Sequence, residues 1–247
     1  MGITFMKKSL DQFLTRAFIE EKTKQFRLVN DTLSVVTIVA IGALILETVE
    51  TLSAYQLWFR TIELVAVVIF SAEYLGRLRI TRPRRSYVFS FFGVVDLLAI
   101  VPTLLGLGNW TFLKSARALR IIRFLRIIQL AKMSRGHNAD VMNSLGIYGF
   151  SVLIYFVILV LSLLVMGTLL YLVEPTTPSF ASIPSAMWWS FKVFLAGIAV
   201  PVPETAAGEF LHVLTRFVGL LLLGLLVGIV GNLFRLTLVT KRQSQPQ

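Results

Sequence analysis

Lys114, Arg117, Arg120, Arg123, Arg126, Gln129, Lys132 and Arg135 place a polar, mostly cationic side chain at every third position of an otherwise apolar stretch. Cations at that spacing do electrostatic work rather than bond-making chemistry. Three residues advance an α-helix by about 4.5 Å and 300°, so the stripe winds slowly round the helix, whereas in 3₁₀ form it runs straight along one face. A shift by one step replaces each arginine with the next. An arginine near the centre of a bilayer costs about 2.5–3.5 kcal/mol on the insertion scale, so such residues face partners or water. The flanking apolar stretches supply candidate partners. Glu63 and Glu73 share one of them, about 15 Å apart along a helix axis, and Asp96 lies in the next. Glu47 is a fourth candidate and reads equally well as an interfacial carboxylate. Without these acids the cationic run would read as a basic amphipathic helix on the cytoplasmic side, or as a stop-transfer flank.

The elements that carry these charges follow from composition. Of 247 residues, 56% are apolar and 15% charged, against roughly 45–50% and 25% in a soluble domain. The mean hydropathy of +0.78 makes lipid the solvent of most of the chain. Six windows approach the roughly 20 apolar residues a spanning helix needs: 31–52, 57–78, 88–106, 110–132, 145–173 and 207–236. A shorter apolar piece at 183–195 cannot cross. The N-terminal segment 1–29, with Phe5, Leu10, Phe13, Phe18 and Phe26 among lysines and arginines, reads as an amphipathic helix lying on the membrane surface. It lacks the apolar core and cleavage site of a signal peptide.

Charge alternates between the loops. Arg77, Arg79, Arg82, Arg84 and Arg85 cluster between the second and third windows. By the positive-inside rule that loop, both termini, and the Lys132–Arg135 segment are cytoplasmic. The expected organisation is an all-α protein of the cytoplasmic (plasma) membrane. It has a four-helix unit at 30–135, a linker at 136–144, a two-helix unit with a re-entrant piece at 145–238, and a tail at 239–247. The 24 Lys and Arg exceed the 13 Asp and Glu by 11, but their placement between apolar runs argues against nucleic acid as the partner. There is no cysteine and there are two histidines, so thiol chemistry and cysteine–zinc sites are excluded and no metal site is supported. Neither an enzyme activity nor a small-molecule substrate is expected.

The arrangement Phe70-x-x-Glu73-x-x-x-Arg77, the run from Phe92 through Asp96 to Pro102 and the triplet arginines resemble the voltage-sensor domain of voltage-gated potassium channels, specifically the compact prokaryotic six-transmembrane type. The resemblance covers about residues 30–236. It implies that Arg117, Arg120, Arg123, Arg126 and Lys132 sense voltage, that Phe70, Glu73 and Asp96 form an inner charge-transfer site, and that Glu63 is an outer counter-charge. Each elementary charge moved across the membrane is worth about 2.3 kcal/mol per 100 mV. Three or four per subunit in a homotetramer would make opening steeply voltage-dependent.

The second half is similar to the pore module of the same family. Ile183-Pro-Ser-Ala-Met-Trp-Trp-Ser-Phe-Lys-Val-Phe-Leu195 resembles its pore helix, with Pro184 suited to the first turn and Trp188 and Trp189 implied to buttress the filter. Alone, the tryptophans would also suit an interfacial belt. Gly219 falls on the family's gating-hinge position, while Gly224 and Gly228 read as helix-packing glycines. Aligned backwards from Pro203, Leu195, Ala196, Gly197, Ile198, Ala199 and Val200 stand where the family has Thr, Val, Gly, Tyr, Gly and Asp. Potassium filters use the carbonyl rings of a TVGYG backbone. Here one glycine survives, Ala199 resists the left-handed backbone that the second glycine allows, and Pro201 and Pro203 stiffen the exit. Lys192 has three readings: facing the conduction path, where it would favour anions, pairing with Glu204 or Glu209, or snorkelling to the interface.

The resemblance implies a tetrameric voltage-gated channel for potassium or another monovalent cation, with the permeant ion in place of any cofactor. The altered filter leaves two alternatives: anion or non-selective conduction, and a non-conducting voltage-sensing membrane protein.

Overall fold

The computed structural model describes residues 12, 14–18, 20, 23–91, 93–94, 96–97, 100–101, 138–174, 176–195 and 198–243. The expected fourth span at 110–132, with Lys114 to Lys132, lies outside the described residues, as do Ala196 and Gly197. The described residues are all-helical, with turns and no strand. The chain divides into two compact units, Met1–His137 and Asn138–Gln247.

In the first unit a helical segment at 14–18 precedes helix α1 (Lys24–Leu46), α2 (Gln56–Ile80), the short α3 (Arg84–Val88) and further helical residues between 91 and 101. Helix α1 starts at Lys24 rather than at 31 because Thr23 caps it, its hydroxyl accepting from the Phe26 N–H at 3.1 Å. It ends at Leu46 rather than at 52. Glu47 takes the C-cap position, the Thr48 hydroxyl donates to the Ile45 carbonyl at 2.6 Å, and a 3₁₀ turn follows at Glu50–Tyr55. A polar run whose hydroxyls bond the nearby backbone competes with the helix ladder. Helix α2 stops where Thr81 turns extended just ahead of Pro83.

The expected third span at 88–106 is entered through a break. Ser90 donates to the Tyr87 carbonyl at 2.7 Å and accepts from the Gly93 N–H at 3.0 Å, restarting the helix after α3. Leu33 and Ala40 of α1, Ala66, Val67 and Phe70 of α2, and Ile100 make one buried cluster. In lipid, close van der Waals packing rather than exclusion of water holds these helices side by side.

The second unit contains α4 (Asn138–Val173), a 3₁₀ turn at Pro178–Phe180, α5 (Ile183–Phe194) and α6 (Ala206–Gln243). Residues 138–144, expected as linker, are helical and continuous with α4. Lys24–Leu46, Gly149–Val173 and Ala206–Arg235 are each long and apolar enough to cross a membrane. Helix α5, at 12 residues, is about 18 Å long and falls short of the roughly 30 Å of hydrocarbon.

Helix α5 packs against both α4 and α6. It is started by a capping box between Ser182 and Ser185, with Pro184 in its first turn. Two glycines let backbones meet. A Cβ on Gly167 of α4 would lie 2.8 Å from the Met187 backbone nitrogen, and one on Gly219 of α6 would lie 2.8 Å from the Phe194 Cα. Tyr155, Met166, Phe194 and Leu222 form the core between the three helices.

Candidate functional site

Steps of three and four residues along α2 put Glu63, Ala66, Phe70, Glu73 and Arg77 on one face. Phe70 is 1% exposed and Glu73 4% exposed, so the carboxylate sits on the same wall as the aromatic ring that seals the cluster beneath it. Glu73 Oε1 accepts from Arg77 Nε at 2.8 Å. A carboxylate this deep requires such a partner, since desolvating an unpaired charge costs several kcal/mol. Glu63, nearer the start of α2, is half-buried.

Asp96 is 2% exposed and accepts from the Tyr87 hydroxyl at 2.7 Å. Burial, then the neighbouring Asp96 carboxylate, push the Tyr87 phenol well above its ordinary value, so Tyr87 remains a proton donor to Asp96. The Glu73 and Arg77 charges also bear on that phenol. Tyr87 therefore joins the two buried acids in one electrostatic neighbourhood, against the ring of Tyr74 at 5.7 Å. Sequence reasoning missed it: a tyrosine directly after an arginine run looks like any interfacial tyrosine. Arg77 leads outward to the N-terminal segment, because its guanidinium lies 5.2 Å from the centroid of the Phe18 ring. Phe18, expected among the lipid-facing residues, packs on α2 instead.

In the second unit the two tryptophans separate. Trp189 is 1% exposed, its indole N–H donates to the Pro201 carbonyl at 2.9 Å, and its ring meets Phe180 and His212 edge-on at 5.1 Å each. Trp188 is 61% exposed and stacks on Phe191. Lys192 is half-buried in the last turn of α5, where the negative end of the helix dipole favours a cation. Of the candidate filter residues, Leu195, Ile198 and Ala199 are exposed and Val200 half-buried. Gly219 packs on Phe194, whereas Gly224 and Gly228 have nothing within 4 Å of an added Cβ. The expected packing role thus falls on Gly219 and not on them within this chain. His212 is half-buried and accepts from Arg216 Nε at 3.1 Å.

A further buried acid closes the loop after the filter segment. Glu174, fully buried just past α4, accepts from the Thr205 N–H at 2.7 Å and hydroxyl at 2.6 Å, with the Thr177 hydroxyl at 3.4 Å. Thr205 also accepts from the Gly208 N–H at 3.0 Å, capping α6. Burial pushes the Glu174 carboxyl up, but the donors from Thr205, the Glu204 N–H and Thr177 outweigh it and hold the carboxyl below the usual range. A Cβ on Gly208 would overlap the Glu174 carboxylate and lie 2.7 Å from Pro203 Cβ, so the carboxylate would have to shift from its place on Thr205. The signal for Thr205 was present in the sequence as a hydroxyl residue directly before a helical run.

The ion transport protein family matches this chain over residues 28–240. A protein of Rhodopseudomonas palustris with the provisional name of potassium channel protein is 29% identical over 213 residues, 80% of this chain and 51% of the relative. The Shal voltage-gated potassium channel protein of Drosophila melanogaster is 28% identical over 192 residues, 73% of this chain and 32% of the relative. The human voltage-gated potassium channel regulatory subunit KCNG1 is 28% identical over 208 residues, 74% of this chain and 40% of the relative. The chain thus spans about half or less of these relatives' lengths. It belongs to the ion transport protein family and is an integral membrane protein.

Proposed function

We propose that this chain is the subunit of a tetrameric voltage-gated ion channel with both termini cytoplasmic. Depolarisation moves the arginine-bearing fourth helix, Arg117 to Arg126 with Lys132, past Phe70, Glu73 and Asp96. The linker then pulls on the inner helices to open a central pore lined after α5. One observation carries the reading: Glu73 and Asp96 are both nearly fully buried and both act on the Tyr87 phenol, and buried acids clustered in a membrane segment mark a charge pathway. Two spans and a short helix cannot enclose a pore alone, so several copies meet about an axis. Kinship to proteins named as potassium channels supports potassium or another monovalent cation as the permeant ion, with Leu195 to Val200 as the filter and Gly219 as the hinge.

A second reading is favoured by the filter and by the relative named as a regulatory subunit. A chain without the second filter glycine, its Pro201 carbonyl engaged by Trp189, would sense voltage and modulate partners without conducting by itself. The reversal potential of purified protein in planar bilayers under asymmetric KCl, with sodium and gluconate substitutions, separates the readings. Reversal near the potassium potential with steep activation supports the first. Reversal following chloride implicates Lys192 and an anion pore. Silence alongside voltage-driven movement of the fourth helix supports the second.

A further inference from the structure

The Phe18 ring meets two residues of α2. Gly76 leaves room for the ring, with an added Cβ only 2.9 Å from Phe18 Cε2, and the Arg77 guanidinium sits 5.2 Å from its centroid. Leu14 Cδ2 would lie 3.5 Å from the same added Cβ, and Ala17 between them is buried. The segment is tied down at its other end. The Thr23 hydroxyl that caps α1 reaches the Arg16 carbonyl at 2.6 Å. Arg77 is thus gripped on one side by the ring and on the other by the Glu73 carboxylate at 2.8 Å.

We infer that the N-terminal segment is a clamp that sets how strongly Glu73 holds the cations passing it. This rests on the voltage-sensing reading above. Glu73 is the acid that a moving arginine would meet at the inner end of α2, and Arg77 is a cation of the same helix that cannot move away with the fourth one. A buried carboxylate that shares its charge with a resident guanidinium presents a shallower well to each arriving arginine than one whose resident partner is gone. Phe18 supports this resident through the ring face, since a planar guanidinium stacks on an aromatic ring within about 6 Å and an ammonium does so less well. Phe18 and Arg77 are therefore positioning residues. They act on the speed of charge movement through Glu73 without carrying charge across the membrane.

The chain contains no cysteine, so Asn109→Cys, at the outer end of the expected fourth span, gives a single site for a fluorophore in the reconstituted full chain. The readout is the rate of the voltage-driven fluorescence change, which needs no conduction. Phe18→Leu, which keeps apolar bulk on Gly76 but loses the ring, and Arg77→Gln are each expected to slow the return step several-fold. Phe18→Tyr is expected to run at the unsubstituted rate, and Phe18→Leu to add nothing in the Arg77→Gln background. Arg77→Lys keeps a cation on Glu73 without the stacking, so there the rate is expected to be insensitive to Phe18→Leu. Phe18→Leu at full speed, or slowing equally whatever stands at 77, overturns the clamp while leaving the sensor reading intact. A parent chain with no voltage-dependent signal overturns both.

Discussion

The Tyr87 hydroxyl donates to the Asp96 carboxylate across 2.7 Å, and the acceptor is almost entirely buried. The restart of the helix at Ser90 is what brings two residues nine positions apart face to face. Tyr87→Phe leaves the ring pair with Tyr74 in place and removes one hydrogen-bond donor from a buried acceptor. It is expected to cost about 1–3 kcal/mol, read as a lower melting temperature in detergent. In an Asp96→Asn background the same substitution should cost much less, because contacting partners are not additive. An undiminished loss there would assign Tyr87 to some other contact.

The start of α5 was legible from Pro184, which acts through the nearest backbone, and so was the face of α2, because helical period fixes which residues share a side. What was not legible depends on contacts between distant parts of the chain. Trp188 and Trp189 are indistinguishable as types, and only the position of Pro201, twelve residues on, decides which indole is buried. Gly167 and Gly219 look like Gly224 and Gly228 in sequence, yet only the first two lie under the backbone or ring of another helix. Helix α1 was placed too late because hydropathy sees the apolar stretch, whereas the start is set by a single hydroxyl at Thr23. Phe18 fitted a lipid-facing stripe equally well until Gly76 gave it a seat.

Gly219 tests hinge against packing. An alanine Cβ would sit 2.8 Å from the Phe194 Cα, a backbone atom that cannot swing aside, so Gly219→Ala must push α5 from α6. Overpacking of this kind costs about 1–3 kcal/mol. At Gly228 nothing lies within 4 Å of the added methyl, and the better helix propensity of alanine should leave stability unchanged or raise it by up to about 1 kcal/mol. Melting curves of the two variants should therefore diverge. A Gly219→Ala protein that melts like its parent would mean the glycine is kept for bending alone.

Acid should loosen the loop behind the candidate filter. Because the Glu174 carboxyl is held below its ordinary value of 4.5, its folded form binds a proton less readily than the unfolded chain. The stabilisation is fully present above that value and is lost as the pH falls through the lower, folded-state one. Melting temperature followed downward from neutral pH should stay level and then drop below about pH 4.5. Glu174→Gln should melt lower at neutral pH, since an amide accepts less strongly from Thr205, and should lack that part of the acid drop. Equal acid slopes in both proteins would place the linkage at another group.

The two tryptophans should fail in different ways. Trp189 fills the space between Phe180 and His212 and ties Pro201 to α5, so Trp189→Ala removes packing and a hydrogen bond together, at a cost of about 3–5 kcal/mol. Trp189→Phe keeps the ring and loses only the donor, for about 1 kcal/mol. Circular dichroism against temperature measures both. Trp188 presents its ring outward beside Phe191, where within one chain it supports little. The expectation is that in the proposed tetramer this exposed ring packs on a neighbouring copy, where large aromatics carry a disproportionate share of association energy. Trp188→Ala should keep the helical signal and its melting while light scattering in detergent shows a shift from tetramer to smaller species. A Trp188→Ala protein that keeps the tetramer mass would put the ring against lipid, leaving the assembly to the exposed Phe217, Leu220 and Leu221 of α6.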